Sequence, residues 1–120
     1  LLSSAINIDG IKVVAAVLKD ADAVGLRAMV DNLKQRIDDG VIILGSVSDG
    51  SAQMVASIGE EARGRGANAG KIVKEMAKVV GGGGGGRPDM AQAGGPDGDR
   101  IDEAVEKGRE IVMQLLAHRS

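Results

Sequence analysis

The segment from Gly81 to Gly95 contains the residue types that could bind an anion. It reads GGGGGGRPDMAQAGG, in which six glycines precede Arg-Pro-Asp, a run of small residues and a second glycine pair. Glycine allows the backbone to approach a ligand or another chain closely. Arg87 adds a planar, permanently charged group that suits phosphate, and Pro88 fixes the backbone directly after it. The segment therefore predicts a surface for an anionic ligand, with nucleic acid or nucleotide as the first candidates.

Two common phosphate-binding motifs do not describe this segment. A P-loop needs Lys and Ser or Thr after its last glycine, whereas Gly86 is followed by Arg87 and Pro88. A dinucleotide fingerprint needs a strand directly before its glycines and a helix directly after them, and neither is predicted here. A structureless loop of this length inside a compact domain is uncommon and usually functional. We therefore interpret 81–95 as a functional glycine-rich loop rather than a linker.

Positive charge along the chain is concentrated next to this loop. The formal net charge is −2, yet residues 1–62 carry five basic and nine acidic side chains, whereas residues 63–87 carry six basic side chains and a single acidic one, Glu75. The lysines of the helix predicted before the loop share one exposed side: Lys71, Lys74 and Lys78. Arg63 and Arg65 could equally contact phosphate or be ordinary surface charge. The distribution favours an anionic partner close to the loop.

The composition argues against several other functions. The chain has no Phe, Tyr or Trp, so it has no aromatic side chains on which bases could stack. It has no cysteine, which fits a reducing compartment, and a single histidine, His118, which makes a zinc site or a Ser-His-Asp triad implausible. We interpret His118 as an exposed residue at a helix end. Any RNA contact must therefore come from backbone, arginine and lysine, and no catalytic machinery is apparent.

Turn signals and apolar periodicity predict the elements that position the loop. Asp9-Gly10 and Asp49-Gly50 each separate two apolar runs, which indicates two β-hairpins. Three helices are expected from the periodicity, over 22–38, 68–80 and 99–118. Their predicted N-terminal caps are Asp20 or Asp22 for the first, Asn68 for the second and Asp99 for the third. Residues 90–93 are expected to form a short strand.

This order of elements predicts the fold class. It reads ββαββα, then the glycine loop with its strand, then α, which predicts an α/β (α+β) two-layer sandwich with a mixed four- to five-stranded sheet and three helices. Residues 1–120 are expected to form a single globular domain. Because the sequence begins with Leu1 rather than Met, we expect it to be a fragment of a longer chain. No signal or membrane-spanning segment is found, and a cytoplasmic location is expected.

The glycine-rich segment closely resembles the signature in the C-terminal domain of alanyl-tRNA synthetases. IKVVAAVLKDADAVGLRAMVDNLK and VIILGSVSDG also resemble the sheet and helix that precede that signature, so the resemblance covers essentially the whole chain. A similar DHH-associated domain ends certain DHH-type phosphoesterases, whose comparable loop typically carries a His after its glycines. Arg87 stands at that position here, which favours the synthetase branch.

The resemblance implies that the chain is the C-terminal fragment of a longer one, a non-catalytic module that binds the elbow of alanine-specific tRNA. The upstream domains of the same chain would then perform aminoacylation and editing on one tRNA, and would hold the ATP, magnesium and zinc, with no cofactor in this fragment. Leu1 to Ser3 would be the exit from a coiled-coil linker. The alternatives are self-association as a homodimer and a nucleotide-handling role in a phosphoesterase. The RNA-binding candidates are Lys74, Lys78, Gly84, Gly85, Gly86, Arg87, Asp89, Gln92, Gly94 and Gly95.

Overall fold

The computed structural model of the chain describes residues 5–37 and 39–117. Its strands are β1 (Ile6–Ile8), β2 (Ile11–Lys19), β3 (Val41–Ser48), β4 (Ser51–Ile58), β5 (Gly83–Gly86) and β6 (Met90–Gly95). Its α-helices are α1 (Ala23–Ile37), α2 (Glu60–Gly64), α3 (Ala69–Val79) and α4 (Ile101–Ala117), the last preceded by a 3-10 turn, Gly98–Arg100. The predicted α/β class is confirmed. The predictions for Leu1 to Ser3 and for His118 lie outside the described residues.

Both predicted Asp-Gly hairpins are present. β1 pairs antiparallel with β2, and β3 pairs antiparallel with β4. Asp9 and Gly10 have φ of 54° and 89°, and Asp49 and Gly50 have φ of 52° and 78°. Positive φ at both central residues is what a type I′ turn requires, and it matches the twist of the flanking strands. β2 and β3 are parallel and are joined by α1, so the two hairpins share one sheet.

The sheet has six strands in the order β1-β2-β3-β4-β6-β5, so the predicted count of four to five is wrong. The additional strand is β5, which consists only of glycine. Glycine has little intrinsic preference for strands and no side chain to show a pattern, so the sequence contains no signal for it. Pairing with β6 and packing of α3 hold this strand instead. The predicted glycine loop is therefore a β-hairpin at the edge of the sheet.

Helices cover both faces of the sheet, so the two-layer prediction is also wrong. Ile42 and Leu44 of β3 pack in one core with α1, whereas Val41 and Ile43 pack in a second core with α3 and α4. The first six residues of β3 are buried, as expected for a strand covered on both faces. A continuous apolar run does not reveal which helix lies on which face, and this is why the number of layers could not be predicted correctly.

The helix starts follow the predicted caps in two of three cases. The Asn68 side chain accepts from the Lys71 N–H at 3.0 Å at the start of α3, and Asp22 Oδ1 accepts from the Gly25 N–H at 2.8 Å at the start of α1. The predicted cap at Asp99 is wrong, because Asp99 lies inside the 3-10 turn that precedes α4.

The fourth helix, α2, is not predicted by the periodicity, and it corrects the expected number of three helices. It has only five residues. Its first backbone N–H groups, of Glu60 and Glu61, donate to the carboxylate of Asp39, more than twenty residues earlier in the chain. A cap supplied from so far along the sequence leaves no local signal. The stretch that contains Arg63 and Arg65 is therefore partly helical.

Candidate nucleic-acid interface

The glycine segment forms a closed hairpin at the open edge of the sheet. Gly84 of β5 is opposite Ala93 of β6, and the Arg87 N–H donates to the Met90 C=O at 3.0 Å to close the turn. The turn is tied to the rest of the fold on two sides. The Asp89 C=O accepts from the Ile58 N–H at 2.9 Å, and the Pro88 C=O accepts from the Ala69 N–H at 2.8 Å. The backbone around Arg87 is therefore anchored to β4 and to the start of α3.

Alternate glycines of β5 have different surroundings. A β-carbon added at Gly84 would lie 2.5 Å from Ala93 Cα, and one added at Gly86 would lie 2.8 Å from Ala91 Cα. Both distances are shorter than side chains tolerate, so these two glycines are required by the packing of the hairpin. Around Gly83 and Gly85, by contrast, there is no atom within 4 Å of an added β-carbon. Those two positions face open space on the α1 side of the sheet.

Arg87 projects from the turn into solvent. Its side chain is 72% exposed, and its Nε lies 3.3 Å from Asp89 Oδ1. An exposed ion pair of this kind contributes about 0–1 kcal/mol, so a phosphate can replace the carboxylate at small cost. Arg87 and Asp89, both predicted as site residues, are thus neighbours, and Asp89 orients the guanidinium group.

Helix α3 runs alongside β5 and places two predicted lysines beside it. The Gly82 N–H donates to the Ala77 C=O at 2.9 Å, and a β-carbon added at Gly70 would lie 2.9 Å from the Gly86 carbonyl oxygen. Lys74 and Lys78 follow Gly70 at intervals of four, so they share its side of the helix. The structure therefore brings Lys74, Lys78 and Arg87 to one edge of the sheet.

Only one of the two lysines has an ion-pair partner in the part of the chain that the structure describes. Lys78 Nζ lies 2.7 Å from Glu75 Oε2, and the two side chains are 63% and 42% exposed, respectively. The hydrogen bond and charge of Lys78 lower the pKa of the Glu75 carboxyl group. Lys74 forms no ion pair within residues 5–37 and 39–117, so its charge is available to a ligand.

Of the remaining candidates, which lie on β6, the two glycines are needed for close packing and Gln92 contacts α1. An added β-carbon at Gly94 would lie 2.7 Å from the Ala52 carbonyl oxygen, and one at Gly95 would meet the Val80 backbone, so both glycines serve close packing. Gln92 is opposite Val55, a residue of the core on the α1 side, and its Nε2 donates to the Ala23 C=O at 3.4 Å. Gln92 is therefore on the face of the sheet opposite to α3 and its lysines.

The arginines near α2 make contacts within the fold. Arg65 Nη1 lies 2.7 Å from Asp9 Oδ2, and Arg65 Nη2 lies 3.2 Å from Glu61 Oε2. Arg63 Nε donates to the Ile58 C=O at 3.1 Å. Of the two interpretations that the sequence left open, these contacts favour a structural role: Arg65 joins α2 to the β1–β2 turn.

Neither a metal centre nor a membrane span is found in the described ranges. Within residues 5–37 and 39–117, no group of three or more His, Cys, Asp or Glu side chains is arranged to hold a metal ion. Over the same ranges, no helix has the length and apolar character needed to cross a membrane.

Comparison with known proteins gives a family match over most of the chain. The DHHA1 domain family matches residues 10–114. The alanine–tRNA ligase of Natranaerobius thermophilus is 45% identical over 98% of this chain and 13% of its own length. The alanine–tRNA ligase of Pelotomaculum thermopropionicum is 48% identical over 92% of this chain and 12% of its own length. The chain thus spans about one-eighth of the length of these curated relatives.

Among solved structures, a domain of an alanyl-tRNA synthetase is also similar to this chain. The C-Ala domain from Aquifex aeolicus alanyl-tRNA synthetase superposes with a TM-score of 0.75 at 29% identity, covering 95% of this chain and 98% of that domain. A DHH-domain protein from a family of ribosomal proteins superposes with a TM-score of 0.59 at 17% identity, covering 92% of this chain and 27% of that one, and shows the fold alone. The resemblance predicted from the glycine-rich segment is confirmed.

Proposed function

The chain belongs to the DHHA1 domain family, and on that premise we propose that it is the tRNA-binding C-terminal domain of an alanine–tRNA ligase. The domain itself performs no chemistry. It binds the elbow of alanine-specific tRNA in the cytoplasm, so that the upstream domains of the same chain aminoacylate and edit one tRNA. The similarity to ligases favours this function over a nucleotide-handling role in a phosphoesterase.

The edge of the sheet at β5 is the observation that carries the proposal. Because Arg87 is hydrogen-bonded to Met90 and antiparallel pairs alternate, the N–H groups of Gly84 and Gly86 are directed away from β6, and Gly70 of α3 lies close to the Gly86 end of this edge. Lys74, Lys78 and Arg87 flank these donors. Backbone N–H groups and cations together suit the phosphates and riboses of folded RNA, which proteins recognise largely by shape.

An Arg87→Ala variant tests the proposal. Because one phosphate contact is lost, we expect tRNA binding to weaken severalfold and the slope of log K against log salt concentration to fall by about one unit. Fluorescence anisotropy with a labelled alanine-specific tRNA transcript, between about 50 and 200 mM salt, measures both quantities. Arg36→Ala removes the same charge from the last turn of α1, beside a groove that Lys12 of β2 also lines, four strands away from β5, and is the matched control. An unchanged slope in Arg87→Ala, or an equal change in Arg36→Ala, would contradict the assignment.

The same edge also favours a second candidate, self-association. An exposed edge strand without side chains is a template for pairing with another strand, and β5 of a second copy could supply one. Sedimentation velocity at micromolar concentration separates the two candidates. A strict monomer that still binds tRNA excludes the homodimer as the main role of this edge.

A further inference from the structure

We propose that the RNA-binding surface continues across the hairpin onto α1, where one nucleobase lies flat on the bare backbone of β5 and β6 and Arg27 contacts the adjoining phosphate. The inference rests on the proposed function, because it names a second part of the same RNA site. It concerns the α1 face of the sheet, opposite to α3 and its lysines.

The first observation is that two glycines of β5 are not needed by the fold. Gly83 and Gly85 have no positive φ, and each has open space where a side chain would project. Almost any residue would fit at these positions, and many would make a better strand. What glycine provides there is flatness. It keeps the α1 face of the edge strand free of side chains, which matters only to something that lies against that face from outside.

The flat area has the dimensions of a single base. Gly83 and Gly85 are about 7 Å apart along the strand and about 5 Å from their partners on β6. Those partners are Gly94 and Gln92, so three corners of this patch are glycine and the fourth has an amide side chain. The Gly94 corner borders the Gln53 side chain, whose Oε1 would lie 3.4 Å from a β-carbon added at Gly94. Peptide planes offer a flat surface to a base without any aromatic residue, which agrees with a chain that has none.

The second observation is an open groove of about 380 Å³ along α1, which meets this patch at Gln92. Gln92 forms one side of the groove, and the other is an exposed face of α1: Ala23, Val24, Arg27, Ala28 and Asp31. Val24 is 77% exposed, the highest value among the large hydrophobic residues in the described part of the chain. The two alanines leave room for a ligand, and Val24 offers it an apolar contact.

The polar groups around the groove suit a nucleotide. Gln92 donates to Ala23 over 3.4 Å, a long contact that a base edge can displace. Arg27 forms no ion pair with any other residue of 5–37 and 39–117, so its guanidinium group is available to phosphate. The Asp31 carboxylate can accept from a base amino group. An amide, a carboxylate and an available arginine around a flat patch favour a nucleotide over a peptide, which would need pockets for its side chains.

The test uses the whole chain and a folded alanine-specific tRNA transcript as the probe. Gly85→Val places a side chain on the flat patch, and we expect binding to weaken about tenfold, the order of one lost stacking contact, with an unchanged salt slope. Gly64→Val is the matched control, because Gly64 also has open space around it but lies on α2. Arg27→Ala should weaken binding severalfold and lower the salt slope by about one unit. Circular dichroism melts establish that each variant is folded.

The outcomes separate this inference from the proposed function. If Arg87→Ala weakens binding but neither Gly85→Val nor Arg27→Ala does, the α1 surface is excluded and the proposed function stands. If none of the three variants weakens binding, the proposed function fails as well. Equal losses in Gly85→Val and Gly64→Val would also overturn the inference. If Gly85→Val does not fold, Arg27→Ala measured against Arg36→Ala decides the question alone.

Discussion

Two neighbouring glycines of β5 should respond in opposite ways to the same substitution. Gly84→Ala would place a β-carbon 2.5 Å from both Ala93 Cα and Ala93 Cβ, and 2.7 Å from the Gln92 carbonyl oxygen. Gly85→Ala would place a β-carbon in open space. Because both changes add one methyl group to the same short strand, composition and strand propensity are matched between them. The two positions differ in their surroundings and in backbone conformation, because Gly84 has a φ of 158° and Gly85 has no positive φ.

The structure sets the expected magnitudes. Relieving the contact at Gly84 requires β5 and β6 to move apart, because the atoms in the way are backbone and Cβ, which cannot rotate aside. Overpacking of this kind costs about 1–3 kcal/mol. Gly85→Ala restricts the unfolded chain without strain in the folded one, which stabilises by about 0.4–1 kcal/mol. The two variants should therefore differ in free energy of unfolding by roughly 1.4–4 kcal/mol.

Urea denaturation measures this difference directly. The Gly84→Ala midpoint should fall and the Gly85→Ala midpoint should rise slightly, with the slope m unchanged in both, because neither change alters the surface exposed on unfolding. Hydrogen exchange of the β6 amides shows whether Gly84→Ala loosens the hairpin alone or the whole domain. Equal destabilisation by both alanines would refute the claim that alternate glycines have different roles, and so would a stable Gly84→Ala.

Two further predictions concern α3, which flanks the hairpin. Asn68→Ala removes the acceptor for the Lys71 N–H, and thermal or urea unfolding should show a loss of about 1 kcal/mol, whereas Asn68→Asp, which keeps an acceptor, should lose little. The Glu75 carboxyl group should titrate below its usual pKa of 4.5, because Lys78 stabilises its charged form, and Lys78→Met should raise the midpoint seen by NMR. Since the pKa of Glu75 is lowered in the folded protein, the stabilisation from this pair is present above pH 4.5 and is lost as the pH falls through the lowered value. If Lys78→Met left the titration midpoint of Glu75 unchanged, Lys78 would not be the cause of the lowered pKa.

Those parts of the fold that depend on local signals could be predicted from the sequence. The Asp9-Gly10 and Asp49-Gly50 turns need positive φ at both residues, and few residue pairs supply it, so these turns are recognisable from the pair alone. The cap at Asn68 acts on an N–H three residues away and is equally local. By contrast, α2 is capped by the distant Asp39, and β5 is held by pairing with Ala91 and Ala93 of β6. These contacts are formed only once the chain has folded, so no local pattern predicts them.

The candidate site was predictable in part for the same reason. Arg87 and the glycines are contiguous, so their chemistry could be read directly, and α3 is close enough in sequence to implicate Lys74 and Lys78. The α1 side of the hairpin could not be found this way. Arg27 is separated from Gln92 by 65 positions in the sequence, and an exposed valine such as Val24 has no distinguishing pattern around it. Only the crossing of α1 over the sheet brings these residues to the groove.

The unbroken run of six glycines itself indicates that β5 is constrained on both faces. Four of the six meet a requirement of the fold, either a left-handed φ after α3 or close contact with β6: Gly81, Gly82, Gly84 and Gly86. A strand that had only to pack against its own domain would need glycine at those positions and could carry valine or threonine at Gly83 and Gly85. The fold therefore explains four of the six glycines, but it does not explain why Gly83 and Gly85 are glycine as well. The two glycines left over are on the open face beside Gln92. The continuous run is therefore what we expect if, as proposed, a partner lies flat against that face and its phosphates are bound by Arg87 and the α3 lysines.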